Sequence, residues 1–161
     1  MKNSSYLLIT YFVILLDQIT KFIIELTIKP GQIIRITDKF FWLTFVQNSG
    51  AAFSLSTGNK LINRLFFIAV TIVAVVLIYR FYRKTEKAIE KIAFALILGG
   101  AIGNLIDRIY LGKVTDFLWC DFPDFIMQRW PVFNIADSSI VVAISLLLIF
   151  FVFFKKSLED K

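Results

Sequence analysis

The sequence contains no histidine and a single cysteine, Cys120, among 161 residues. Without histidine, Ser-His-Asp and Cys-His catalysis and His-ligated zinc or haem are excluded. One cysteine permits neither an internal disulfide nor a cysteine-rich metal site. Charge is also sparse, at 19% of residues, so this is not the charged, weakly apolar composition of a disordered chain. No removable signal peptide is expected. The first apolar stretch carries Asp17 and Lys21, and no small-residue cleavage site follows it. Acid–base or nucleophilic work is left to Asp, Glu, Lys, Tyr, Ser or Thr.

What the chain does have is apolar surface. Hydrophobic residues make up 58% and aromatics 16%, with 18 Phe, and the mean hydropathy is +0.75. A soluble domain carries about 45–50% on a similar set, so the composition points to a membrane protein. The net charge of +6 then reads as cytoplasmic loop charge facing anionic headgroups. No nucleic-acid motif is present and no nucleic-acid partner is expected.

A bilayer core takes roughly 20 apolar residues per helix. Four windows qualify, at about 5–26, 60–82, 88–107 and 135–154, within one integral membrane domain spanning 1–161. An even number of spans puts both termini on one side. Basic residues on the two sides are nearly balanced, but Arg80, Arg83, Lys84, Lys87 and Lys91 crowd the short loop between spans two and three. Orientation follows such short loops, so that loop and both termini are expected to be cytoplasmic. The outer segments are then about 27–59 and 108–133. In the first, Pro30-Gly31 stops the helix, and the runs 32–38 and 40–47 read as a hairpin. Trp42 there suits the headgroup region. The second segment, with Trp119 and Trp130, is expected to lie along the membrane. No internal repeat or low-complexity segment is found.

Charged residues inside spans are costly and usually functional. Asp17 and Lys21 share a face near the outer end of span one. Asn48-Ser-Gly50 precedes span two. Asn104, Asp107 and Arg108 end span three. Asp116 follows in the outer loop, and Asn134, Ala136, Asp137 and Ser138 open span four. All fall toward one boundary, which suggests one site there. Simpler roles exist for each. Asp17–Lys21 suits an ion pair, Ala95-x-x-x-Gly99-x-x-x-Gly103 a close helix contact, and Asn134-x-x-Asp137 a helix cap. Cys120 reads as an ordinary loop thiol, and Asp121 and Asp124 as solvated loop charges. Yet Asp116 and Asp137 are two carboxylates on different segments of a histidine-free chain. Two carboxylates sharing a site cannot both ionise easily. The ionised one can take a proton from water while the protonated one donates to a carbonyl oxygen, which is aspartyl protease chemistry. An ion-coupled transporter and a non-catalytic scaffold are the alternatives from other classes. Transporter sites, however, usually lie at the midplane between repeated halves.

The motifs Asp17-Gln-Ile-Thr-Lys21, Asn48-Ser-Gly-Ala-Ala-Phe53, Gly99-Gly-Ala-Ile-Gly-Asn-Leu-Ile-Asp-Arg108, Val114-Thr-Asp-Phe117 and Phe133-Asn-Ile-Ala-Asp-Ser138 run in order from the first span to the last. In them the chain closely resembles the bacterial lipoprotein signal peptidases (signal peptidase II). The resemblance implies a mainly α membrane protein with four transmembrane helices, a small extracellular β-rich cradle and a mobile interfacial helix or loop over the site. It implies cleavage of prolipoproteins on the amino side of a diacylglyceryl-modified cysteine, in the bacterial cytoplasmic membrane, with the site on the outer side and no cofactor or metal. It assigns Asp116 and Asp137 as the catalytic aspartates. Asp17, Lys21, Asn48, Gly50, Asn104, Asp107, Arg108, Asn134 and Ala136 match supporting positions. Partners would be lipid-modified prolipoproteins, membrane lipids and globomycin-type inhibitors, with a monomer as the default state. The stretch 118–131 matches no motif of the family.

Overall fold

A computed structural model describes residues 3–50, 59–121 and 130–154 of the chain. Four helices carry the architecture: α1 (Leu7–Thr27), α2 (Lys60–Lys84), α3 (Ala88–Tyr110) and α4 (Ile135–Phe154). All four are long and apolar enough to cross a membrane. Helix ends follow local chemistry. Asn59 caps α2 by accepting from the backbone N–H groups of Leu61 and Ile62. Arg83 and Lys84 in its last turn complement the helix dipole. After α1, Ile28 turns extended and Gly31 adopts a positive φ of 77°.

Helix α3 is the central one, packing against α1, α2 and α4. Its small residues make this possible. A Cβ on Gly99 would lie 2.7 Å from the Val13 Cβ, and one on Gly103 would lie 2.6 Å from an Asp17 carboxylate oxygen. Gly100 faces Ala136 and Ser139 of α4 in the same way. Across these close approaches Thr10 Oγ1 donates to the Ala95 carbonyl (2.8 Å) and Ser139 Oγ to the Leu96 carbonyl (3.2 Å). The outward faces are apolar. Phe12, Phe22, Leu65, Val73, Leu77, Val141 and Phe153 are all exposed, which suits acyl chains as solvent.

At one end of the bundle sits an antiparallel sheet in the order β1-β2-β3, from β1 (Ile33–Arg35), β2 (Phe41–Asn48) and β3 (Val114–Cys120). The expected hairpin is present, with Ile34 opposite Leu43. A bulge interrupts the β2–β3 ladder between Leu43 and Val46. Phe45 and Phe117 pack on Ile24 and Ile28 and dock the sheet onto the last turns of α1.

Two expectations need correction. Part of the second outer segment, expected as loop, is a strand. It covers residues 114–120, Trp119 faces Trp42 edge-on at 5.1 Å, and Cys120 is buried at the strand's end. A β-branched and aromatic run (Val-Thr-Asp-Phe-Leu-Trp) after the turn at Gly112 fits a strand, but its partner β2 is remote in sequence. Burial pushes the Cys120 thiol above its ordinary pKa and keeps it neutral. Second, Asp17 does not sit near the end of α1. Ten residues follow it in that helix, about 15 Å at 1.5 Å per residue, so the polar cluster is recessed below the helix end. Residues 122–129, where an interfacial helix and Asp124 were expected to fall, lie outside the described residues.

Candidate active site

The site begins with a buried charge cluster that α1 presents to its neighbours. Lys21 Nζ lies 2.8 Å from Asp17 Oδ2 and 2.9 Å from Asp107 Oδ2. All three side chains are buried, so the network survives only because its remaining lone pairs and protons are matched. Gln18 Nε2 donates to Asp107 Oδ1 (3.0 Å), and the Thr115 N–H donates to Asp107 Oδ2 (3.0 Å). Asp17 Oδ1 accepts from the N–H of Ala136 (2.9 Å), one of the unpaired donors at the start of α4. This cluster therefore fixes α1, α3, α4 and β3 to one another at a single level. Asp17, Lys21, Asp107 and Ala136 stand behind the site, not in it.

In front of them lies a cavity of about 710 Å³ lined by Asn48, Asn104, Arg108, Asp116, Asp137 and Ser138, with Trp130, Phe133, Val141 and Val142 on its apolar wall. Asp116 enters from β3 and is buried. Asp137 enters from the first turn of α4 and is half-buried. The two carboxylates from separate segments thus meet at one cavity.

Three asparagines aim their amide donors at these carboxylates, and each is held in that orientation by a group that can only donate to its oxygen. Asn48 Oδ1 accepts from the Gly50 N–H (2.9 Å), which leaves its Nδ2 to donate to Asp116 Oδ2 (3.1 Å). Gly50 is required there. Its φ is +81°, and a Cβ would lie 2.5 Å from the Phe67 ring. Asn134 Oδ1 accepts from the Asp137 N–H (2.8 Å), and its Nδ2 donates to Asp116 Oδ1 (2.7 Å). Asn104 Oδ1 accepts from Lys21 Nζ (2.9 Å), and its Nδ2 donates to Asp137 Oδ1 (2.8 Å). The Asn134 N–H also donates to Asp137 Oδ2 (3.3 Å). Asn134 and Asp137 together form the reciprocal helix cap read from their spacing. The cap and the site use the same two residues.

Asp116 is pushed up from 3.8 to about 6. Burial is the main cause and the nearby Asp137 carboxylate adds to it, while the Asn48 and Asn134 bonds and the Lys21 charge oppose it. Below about pH 6 Asp116 therefore holds a proton that it can give up into the cavity, beside the Asp137 carboxyl. Arg108 lines the same cavity, and its guanidinium lies 5.7 Å from the Phe67 ring centroid. Among the described residues no three His, Cys, Asp or Glu side chains come together as a metal cage.

Sequence reasoning missed three participants. Gln18 bridges Asp17, Gly103 and Asp107. Thr115 is fully buried with its N–H, hydroxyl and carbonyl all bonded. Glu25 accepts the Thr115 hydroxyl bond (2.6 Å). Gln18 and Thr115 stand inside the motifs already quoted, and Glu25 lies one helical turn beyond Lys21.

A family profile described as signal peptidase (SPase) II matches residues 9–153. The lipoprotein signal peptidase of Halothermothrix orenii is 41% identical over 144 residues, covering 89% of this chain and 92% of that protein. That of Caldanaerobacter subterraneus is 44% identical over 137 residues, covering 84% and 88%. A bacterial membrane enzyme solved by the in meso method at 1.9 Å superposes with a TM-score of 0.81 at 33% identity, covering 91% of each chain.

Proposed function

Because the chain belongs to the signal peptidase II family of aspartic-type membrane proteases, we propose that it removes signal peptides from prolipoproteins by an Asp116–Asp137 dyad. The observation that carries this reading is the meeting of the two carboxylates at one cavity, with their asparagine donors locked in place. Cleavage falls on the amino side of a diacylglyceryl-modified cysteine. The signal helix approaches through the bilayer, and the scissile amide reaches the cavity while the lipid chains stay in the membrane.

A water between the carboxylates attacks the amide carbonyl. Asp137 in the first turn of α4, where the helix dipole favours negative charge, takes the water proton as base. Asp116, buried and protonated below about 6, donates to the carbonyl oxygen. A tetrahedral intermediate forms without a covalent enzyme adduct. The roles then reverse: Asp137 delivers its proton to the leaving amine, Asp116 regains one from the intermediate, and the C–N bond breaks. Asn48, Asn104 and Arg108 orient the carboxylates and the substrate backbone. Globomycin-type inhibitors compete for the same cavity, and the protein acts as a monomer.

The test is cleavage in detergent of a precursor with and without the diacylglyceryl group, with mass spectrometry of the products. Cleavage of the modified precursor alone, before its lipidated cysteine, is the expected outcome. Equal cleavage of both would remove the lipid requirement, and cleavage of neither by folded protein supplied with lipid would overturn the reading.

A further inference from the structure

We infer that Glu25 is a positioning residue for Asp116, acting through the buried hydroxyl of Thr115. The inference rests on Asp116 belonging to the dyad and adds to that reading a residue outside its motifs.

Thr115 directly precedes Asp116 in β3, and side chains alternate along a strand. When Asp116 faces the cavity, Thr115 therefore faces the other way, toward α1. Its hydroxyl donates to Glu25 Oε1 at 2.6 Å, the short distance of an O–H···carboxylate bond. The Thr115 N–H donates to Asp107 Oδ2 (3.0 Å), and its carbonyl accepts from Asn134 Nδ2 (3.3 Å). Those two bonds hold the backbone from α3 and from the start of α4. Only the Glu25 bond ties this residue to α1 among the described residues.

The need for that third tie comes from the sheet. Asp116 pairs with Val46 and Thr115 with Gln47, immediately beside the bulge that breaks the β2–β3 register. At a bulge the ladder is locally disrupted and the strand bends, which re-aims the side chains beside it. The Asn48 and Asn134 bonds to Asp116 are 3.1 and 2.7 Å, so a small rotation of the strand would lose them. Glu25 also lies one turn from Lys21, whose ammonium group fixes Asn104 against Asp137. One helix face thereby sets both carboxylates: Asp137 through Lys21 and Asn104, and Asp116 through Glu25 and Thr115.

The experiment compares Thr115→Val and Glu25→Leu with Thr115→Ser and Glu25→Gln, which keep a hydroxyl donor and an acceptor oxygen. Wild type and Asp116→Asn run alongside. Each purified protein is assayed in detergent on the diacylglyceryl-modified precursor for kcat, KM and the pH dependence of kcat/KM, with the folded fraction measured by thermal unfolding. Thr115→Val and Glu25→Leu are expected to lower kcat on the order of 10- to 100-fold at little changed KM, as a misplaced reacting group does. Both should also move the alkaline limb of the pH profile, while Thr115→Ser and Glu25→Gln recover most of the turnover. Unchanged kcat in folded Glu25→Leu, with Asp116→Asn inactive, would overturn the positioning role and leave the dyad intact. So would a loss that only tracks unfolded protein, or a Thr115→Ser as impaired as Thr115→Val. Activity in Asp116→Asn would instead overturn the dyad reading itself.

Discussion

Asp116 owes its chemistry to a balance between burial and donors. Burial and the Asp137 charge raise its pKa, two asparagine amides lower it, and the result is about 6. As pH rises above that value Asp116 loses the proton that the proposed mechanism hands to the carbonyl oxygen. The alkaline limb of kcat/KM should therefore fall about tenfold per pH unit beyond it. A profile flat to pH 8 would show that Asp116 is not the acid. The same shift has a stability consequence. Between 3.8 and about 6 the folded protein retains a proton that the unfolded chain releases, so stability declines as pH rises through that window. The two carboxylates could be read from the sequence as candidates, since a chain without histidine has few other proton carriers. The amide locks on Asn48, Asn104 and Asn134 could not. They depend on donors from Gly50, Lys21 and Asp137, and pairings such as Lys21 with Asn104 arise only in the folded chain.

Helix α3 is the element on which the site depends, because its glycines let α1 and α4 come close enough to share charges. Replacing Gly103 by Ala places a methyl 2.6 Å from Asp17 Oδ2. Overpacking of this kind costs about 1–3 kcal/mol, which should appear as a lower unfolding temperature in detergent together with reduced turnover. Lys21→Met is expected to be worse. It leaves the buried carboxylates of Asp17 and Asp107 without their cation, a loss of roughly 3–5 kcal/mol when one partner of a buried pair is removed. An unfolding temperature equal to wild type in Lys21→Met would show that the cluster does not hold the helices. At this scale the hairpin of β1 and β2 was legible, since a short connection joins two β-branched and aromatic runs. Strand β3 carried the same signal but pairs with β2 across α2 and α3, and no local pattern announces a partner so far away.

For the whole molecule, the four spans follow from composition because a continuous apolar run of about 20 residues can cross lipid as a helix that satisfies its own backbone. The span limit near residue 26 already ran the first helix well past Asp17, but it could not show that this overhang packs on the sheet through Ile24 and Ile28. Orientation rests on the basic turn between α2 and α3. With that turn cytoplasmic and the sheet outside, Glu86→Cys should be shielded from a membrane-impermeant maleimide in intact cells. Lys113→Cys should react, and the native Cys120, which is buried, should stay silent. The opposite labelling pattern would invert the topology. The central claim concerns Asp116 and Asp137 acting as one unit, and the most direct test is the turnover of folded Asp116→Asn, Asp137→Asn and the double variant on a diacylglyceryl-modified precursor. Each single variant should lose about 10²–10⁴-fold in kcat, and the double variant should be little worse than either. Turnover within a few-fold of wild type in either single variant would contradict the dyad.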